Sequence, residues 1–127
     1  MLLGRKLYLE KYCHTKGLSY DKTMEITKKS RCILDFPYAC QEGLTMRTIE
    51  ALGAKCKLIT TNKNIIQYDF YNEKNIYIID PITMNLPDEE FILSEYEDIP
   101  NDMYLYYSLD SWIEWLISSV FSFKIIH

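Results

Sequence analysis

Hydrophobic and polar positions along this chain follow two periods, and each change of period marks an element. Residues 31–36, "RCILDF", form a short apolar run stopped by Pro37, the pattern of a buried strand. Residues 55–61, "KCKLITT", repeat that pattern with Asn62 closing it, and residues 75–80, "NIYIID", make a third strand ended by Pro81. Between the runs the spacing becomes helical. Residues 19–30 predict a helix with Ser19 as N-cap, Asp21 in the first turn and lysines in the last. Met24 and Ile26 define only a narrow apolar face there, so this helix should lie largely exposed. Residues 37–43 are a loop, and residues 44–54 then bring Leu44, Ile49 and Leu52 near one helical face, with Gly53 close to the end where a cap is wanted. Residues 63–70 read as a short helix or turn. Residues 87–96 predict a helix with Pro87 in its first turn and Asp88, Glu89 and Glu90 complementing its dipole. Residues 108–123 predict a last helix, capped by Ser108, with Leu109, Trp112, Ile113, Leu116 and Val120 at helical spacing. The start, residues 5–12, fits either an edge strand or a displaced helix.

Strands alternating with helices imply βαβ crossovers and a parallel sheet. The expected fold class is therefore α/β. Residues 1–127 should form a single three-layer Rossmann-like domain, with a mostly parallel sheet, helices on both faces and the C-terminal helix packed on the domain. The length suffices for one domain with a real core, and the chain has no repeat or low-complexity tract.

Composition narrows the partners. Hydrophobic residues at 48% and charged residues at 25% are ordinary for a soluble protein. A net charge of −4 leaves no basic footprint, so no nucleic-acid partner is expected. No apolar run reaches the roughly eighteen residues a spanning helix needs, so membrane contact should be at most peripheral. Charges arriving by Arg5 argue against a signal peptide, and the expected location is cytoplasmic. Of the four cysteines, Cys32 and Cys56 lie in or beside apolar strands and Cys13-His14 lacks zinc spacing, so reduced, structural thiols and no metal site are expected. No G-x-G-x-x-G occurs, which argues against a dinucleotide cofactor.

Candidate chemistry gathers in residues 40–62, "CQEGLTMRTIEALGAKCKLITTN". Ligands of open parallel sheets bind beyond the C-terminal ends of strands, and here a strand leads through a loop into a helix N-terminus. The N–H groups of Gly43, Leu44 and Thr45 are expected to point outward and favour phosphate, with Gly43 permitting close approach. Thr45 can hydrogen-bond a diphosphate and Arg47 can balance its charge. Glu50, about 10 Å along the helix by its rise per residue, can accept hydrogen bonds from ribose hydroxyls. The competing account is an ordinary βα turn in which Glu50 and Arg47 pair only with each other.

Glu42 and Glu50 are separated by seven residues, and "EALGA" and the strand "KLITT" follow. This segment resembles the donor-binding element of GT-B glycosyltransferases. The longer run from Arg31 to Asp80 is similar to bacterial proteins of lipopolysaccharide or capsular polysaccharide synthesis, over roughly residues 20–115. The resemblance implies that Glu50 binds the ribose, that Glu42 faces the donor sugar, and that Gly43, Leu44 and Thr45 give backbone donors to the diphosphate. The donor is then a nucleoside-diphosphate sugar, held as substrate and not as a cofactor. Leu44 and Thr45 depart from the family by replacing a second Gly-containing turn. The basic residue common upstream has only Lys28, Lys29 and Arg31 as counterparts.

The same resemblance shows what this chain lacks. GT-B enzymes place the acceptor, and usually the catalytic base, on a separate N-terminal domain. His14, between lysines, and the terminal His127 both read as surface histidines, so no catalytic residue is assigned. The expected function is the nucleotide-sugar-binding half of a glycosyltransferase for surface polysaccharide, a fragment or subunit not catalytic alone. The alternative is a non-catalytic interaction module with a degenerate glycosyltransferase fold. In the last helix, Trp112, Trp115, Ile117, Phe121 and Phe123 spread apolar surface over more than one face. Two outcomes are open for it: deep burial of one side in the core, or a surface for a separate acceptor-binding domain or for self-association.

Overall fold

The three apolar runs pair side by side because each exposes a row of backbone groups that only a neighbouring strand can satisfy. In the structure, a computed structural model describing residues 16–38 and 40–123 (without the side chains of 122 and 123), the strands are β1 (Cys32–Asp35), β2 (Lys57–Thr60) and β3 (Ile76–Ile78). Their order is β1-β2-β3 and both pairings are parallel. Five α-helices accompany them among the described residues: α1 (Tyr20–Lys29), α2 (Met46–Gly53), α3 (Glu89–Leu93), α4 (Asn101–Tyr106) and α5 (Leu109–Phe123). A 3-10 turn at Lys63–Gln67 lies between β2 and β3. The architecture is α/β with an open parallel sheet, compatible with a small Rossmann-like unit. The stretch 5–12, Cys13, His14 and His127 lie outside the described residues.

Register divides the side chains between two faces. Ile33, Leu58 and Ile76 align across the sheet, as do Asp35, Thr60 and Ile78, so these share one face. Leu58 and Ile76 join Ala51 and Leu52 of α2, Ile65 of the 3-10 turn and Phe70 in the core. Met103, Tyr104 and Tyr107 pack against that cluster. Alternation assigns Lys57, Ile59 and Tyr77 to the other face, where Phe91 of α3 meets the Tyr77 ring at 5.4 Å between centroids.

The central and first strands show what the apolar runs alone conceal. β2, paired on both sides, is buried at all four positions. β1 has the same kind of sequence but stands at an edge, with only Asp35 buried and Leu34 60% exposed. The expectation of a buried strand at residues 31–36 is thus corrected: among the described residues β1 pairs with β2 alone and has no strand on its other side.

Helix ends follow local chemistry. Ser19 Oγ accepts from the Lys22 N–H at 3.3 Å and caps α1, in which only Thr27 is buried, as expected. α2 begins two residues later than its pattern suggests, because Thr45 is its N-cap. At its other end Gly53 stays helical, and Lys55 takes the left-handed position with φ 53°. A lysine there costs about 1 kcal/mol relative to glycine. Its side chain is held by an ion pair to Asp98 at 2.6 Å and lies over the Tyr104 ring. In α3 the cap is Asp88, whose Oδ1 accepts from the Phe91 N–H at 2.8 Å, so Pro87 precedes the helix instead of opening it. α3 also ends at Leu93, where Arg31 Nη1 donates to the Leu93 carbonyl at 3.1 Å. α4 has no counterpart in the sequence pattern; it is six residues long and has no side-chain cap.

The C-terminal helix departs furthest from expectation. Ser108 Oγ accepts from the Ser111 N–H at 3.2 Å and caps α5 as predicted. The helix is not packed deeply on the domain, however. Its main contact is with α4, and its apolar side chains from Leu109 to Phe121 keep 39–67% of their surface exposed. Of the two outcomes open for this helix, core burial is overturned. The thiols of Cys32, Cys40 and Cys56 are free, and burial pushes the Cys56 thiol up to about 11, which suits structural cysteines. Among the described residues no helix is long and apolar enough to cross a membrane.

Candidate functional site

β1 ends in Asp35, and α2 starts at Met46. Thr45 sits at the junction and has two roles. Its Oγ1 accepts from the Thr48 N–H at 3.1 Å, which caps the helix, and donates to Asp35 Oδ2 at 2.5 Å. Thr48 Oγ1 donates to the same carboxylate oxygen at 3.2 Å. A buried carboxylate therefore ties the end of the strand to the first turn of the helix. Threonines at the cap and three residues on are a sequence signal for the cap; that Asp35 would join them depended on where β1 stops.

The loop is fastened from the other side by amides. Asn62, just past β2, donates through Nδ2 to the Gly43 carbonyl at 3.1 Å, and its Oδ1 accepts from the Asn64 N–H at 3.0 Å. Asn64 Nδ2 donates to the Glu42 carbonyl at 3.3 Å. These two carbonyls are thus used by the protein itself, while the Glu42 side chain is exposed. Neither asparagine was singled out as a site residue from the sequence, since a bond spanning some twenty positions leaves no local pattern.

The predicted site residues distribute as follows. Glu42, Gly43 and Leu44 lie in the loop, with Leu44 packed on the core; Thr45 is the cap; Arg47 and Glu50 are on α2. Thr45 Oγ1 occupies the Thr48 N–H and its carbonyl the Ile49 N–H, which leaves the N–H groups of Met46 and Arg47 as those of the first turn with no partner within the helix. Gly43 has no positive φ, and a Cβ built there meets nothing within 4 Å, so the fold itself makes no demand for glycine at this position. Arg47 Nη1 and Glu50 Oε2 pair at 2.9 Å, with the Glu50 side chain largely buried. Two of the three basic residues upstream of the loop are engaged elsewhere: Lys29 pairs with Glu25 at 2.6 Å within α1, and Arg31 caps α3.

Beyond β3, Asp80 Oδ1 accepts from the Ile82 N–H at 2.8 Å, and this with the Thr83 N–H holds its carboxyl below the usual carboxylate range. Lys63 Nζ lies 3.5 Å from the same side chain. The C-terminal edge of the sheet is therefore polar and made of residues from three successive strand ends: Asp35, Asn62 and Asp80. A separate open groove of about 380 Å³ runs between α1 and β1, lined by Leu18, Ile26, Ile33 and Leu34 with Arg47 at its border. Its walls are mostly apolar, unlike the C-terminal edge. Among the described residues no group of three His, Cys, Asp or Glu side chains is placed to hold a metal ion.

The Asp35 knot has a measurable weight. Asp35→Ala strips a shared acceptor from two part-buried hydroxyls, and a loss of about 2 kcal/mol is expected, read as a lower urea midpoint at unchanged slope. Asp35→Asn keeps one acceptor oxygen and should lose less than half as much. Equal midpoints for wild type and Asp35→Ala would remove this carboxylate from the account of how α2 is anchored.

Comparison of the chain with protein-family models, with curated proteins and with solved structures finds no match in any of the three.

Proposed function

We propose that this chain is the nucleotide-sugar-binding half of a glycosyltransferase of surface polysaccharide assembly, built as a three-layer Rossmann-like domain and not catalytic by itself. One observation carries the reading: β1 and β2 are adjacent and parallel, and the helix that joins them starts at the C-terminal edge of the sheet. That is where open α/β sheets receive phosphorylated ligands. The Glu42–Glu50 spacing lies across this same loop and helix, which is the context the resemblance to GT-B donor sites requires. In this reading the N–H groups at the start of α2, beside Gly43, Leu44 and Thr45, face the diphosphate. Glu50 accepts from the ribose hydroxyls, with Arg47 at 2.9 Å fixing its carboxylate and neighbouring the phosphates. Glu42, on the exposed loop, faces the sugar.

Calorimetry with a panel of nucleoside diphosphates and their sugars tests this. Binding is expected for at least one, and Glu50→Ala should weaken it about tenfold, roughly 1.4 kcal/mol. Gly43→Ala is the sharper probe, because the fold leaves room for the added methyl and any lost affinity reports the approach of a ligand. No heat from any member of the panel at millimolar concentration, with folding verified by circular dichroism, would refute the proposal. The second reading, a non-catalytic interaction module, is favoured by the exposed apolar surface of α5.

A further inference from the structure

α5 carries its apolar residues outward instead of into the domain. At about 100° per residue, Leu109, Trp112, Ile113, Leu116, Ile117 and Val120 fall on one continuous side of the helix. Asp110, Ser111, Glu114 and Ser118 fall on the other. A stripe this wide ordinarily faces a core. Here each of those six side chains keeps between 39% and 67% of its surface in solvent, although α4 is the helix's main neighbour.

Charge and area choose the occupant. The helix has two carboxylates and, from Leu109 to Phe123, no lysine or arginine. Helices that lie on anionic bilayers depend on basic residues along the polar side, so a lipid surface is a poor match. The exposed part of the six side chains amounts to on the order of 500 Å², taking the lower end of the roughly 150–250 Å² of an aromatic side chain for the five aliphatic residues and the upper end for Trp112. That is at the upper end of the ~300–600 Å² an ordinary monomer leaves as its largest patch and below the ~800 Å² each partner contributes to a standard interface. Trp115 and Phe121 border the stripe and extend it. An apolar stripe without charges is self-complementary under a two-fold axis. Parallel pairing would align the two helix dipoles, and antiparallel pairing opposes them.

We propose that α5 is a homodimer interface, pairing antiparallel with α5 of a second copy through Trp112, Ile113, Leu116 and Val120. The inference stands independently of donor binding, because none of these residues is near the β1–α2 loop in the chain or assigned to the ligand.

Sedimentation velocity on the full chain tests it. A dimer with a dissociation constant on the order of 10 µM is expected, and Leu116→Glu should raise that constant at least ~100-fold by placing a charge in the contact. Val120→Glu, one turn on, should do the same, and Glu114→Gln, on the polar side, should leave the dimer intact. Far-UV circular dichroism distinguishes loss of the interface from loss of the fold, because exposed positions tolerate these changes. A wild-type monomer up to ~500 µM, or a dimer indifferent to both glutamate substitutions, would overturn the proposal. Flotation of a monomeric protein with phosphatidylcholine–phosphatidylglycerol vesicles would overturn it too, and would assign the stripe to lipid.

Discussion

Phe70→Ala is expected to remove about 3–5 kcal/mol of stability, enough to unfold a marginal domain at room temperature. Phe70 is 2% exposed and lies in the core cluster with Leu52, Leu58, Ile65 and Ile76. Its ring stacks on Tyr68 at 5.6 Å and meets Tyr107 edge-on at 4.8 Å. It therefore joins the β2–β3 connection to the end of α4, from which α5 departs. The Tyr107 hydroxyl donates to Asp69 at 2.7 Å, and burial with that bond pushes its ionisation upward, so this ring is itself fixed and cannot swing into a void. A cavity left by alanine would persist, which is why the cost should sit at the upper end of the range. Phe70→Leu keeps most of the volume and should lose about 1–1.5 kcal/mol. Urea denaturation at constant slope measures both; a loss below ~1 kcal/mol for the alanine variant would mean that the domain is held elsewhere.

Lys57→Ala should cost about 3 kcal/mol, and for a different reason. Lys57 is a residue of the central strand with 1% of its surface exposed. Its Nζ donates to the Phe91 carbonyl at 2.7 Å and to Ser94 Oγ at 2.5 Å, and lies 4.8 Å from the Phe91 ring centroid. The lysine thus closes the C-terminal end of α3, where carbonyl groups lack helical partners and a cation is favoured. Alanine removes the donor, opens a cavity between α3 and the sheet, and leaves Phe91 and Ser94 to bond only each other, at 3.2 Å. Lys57→Met restores the bulk without the charge, and about 1 kcal/mol of loss is expected from the missing hydrogen bonds alone. If the two variants unfold at the same midpoint, packing contributes nothing at this position and the account of α3 docking is wrong.

Both effects bear on how far the fold could be read from the chain. Runs of apolar residues bounded by Pro37, Asn62 and Pro81 located β1, β2 and β3, because strand pairing needs only that local period. Ser19 and Ser108 located two helix starts, because a cap is a contact within one turn. In α2 and α3 the pattern placed the helix correctly and the start wrongly. Leu44 is apolar and helix-compatible, yet Asp35 draws Thr45 into the cap from a distance of ten residues. Pro87 suits a first turn, yet the Asp88 carboxylate reaches Phe91 N–H and wins the cap. Lys57, a charged residue within the run at residues 55–61, is one of the most buried side chains of the domain.

The candidate site divides in the same way. Its residue types and order, Glu42 through Glu50 between two strands, are properties of the chain and were legible there. Which N–H groups open the helix, the use of the Glu42 and Gly43 carbonyls by Asn64 and Asn62, and the Arg47–Glu50 pair were set by tertiary placement. The physical reason is range. Periodicity, caps and turn residues act over three or four positions, so sequence alone locates elements and their polarity. Burial of β2 but not of β1, the carboxylate under α2 and the uncovered stripe of α5 depend on which neighbours arrive from far along the chain. An apolar residue records a preference for cover, and only the assembled fold shows whether this molecule supplies it.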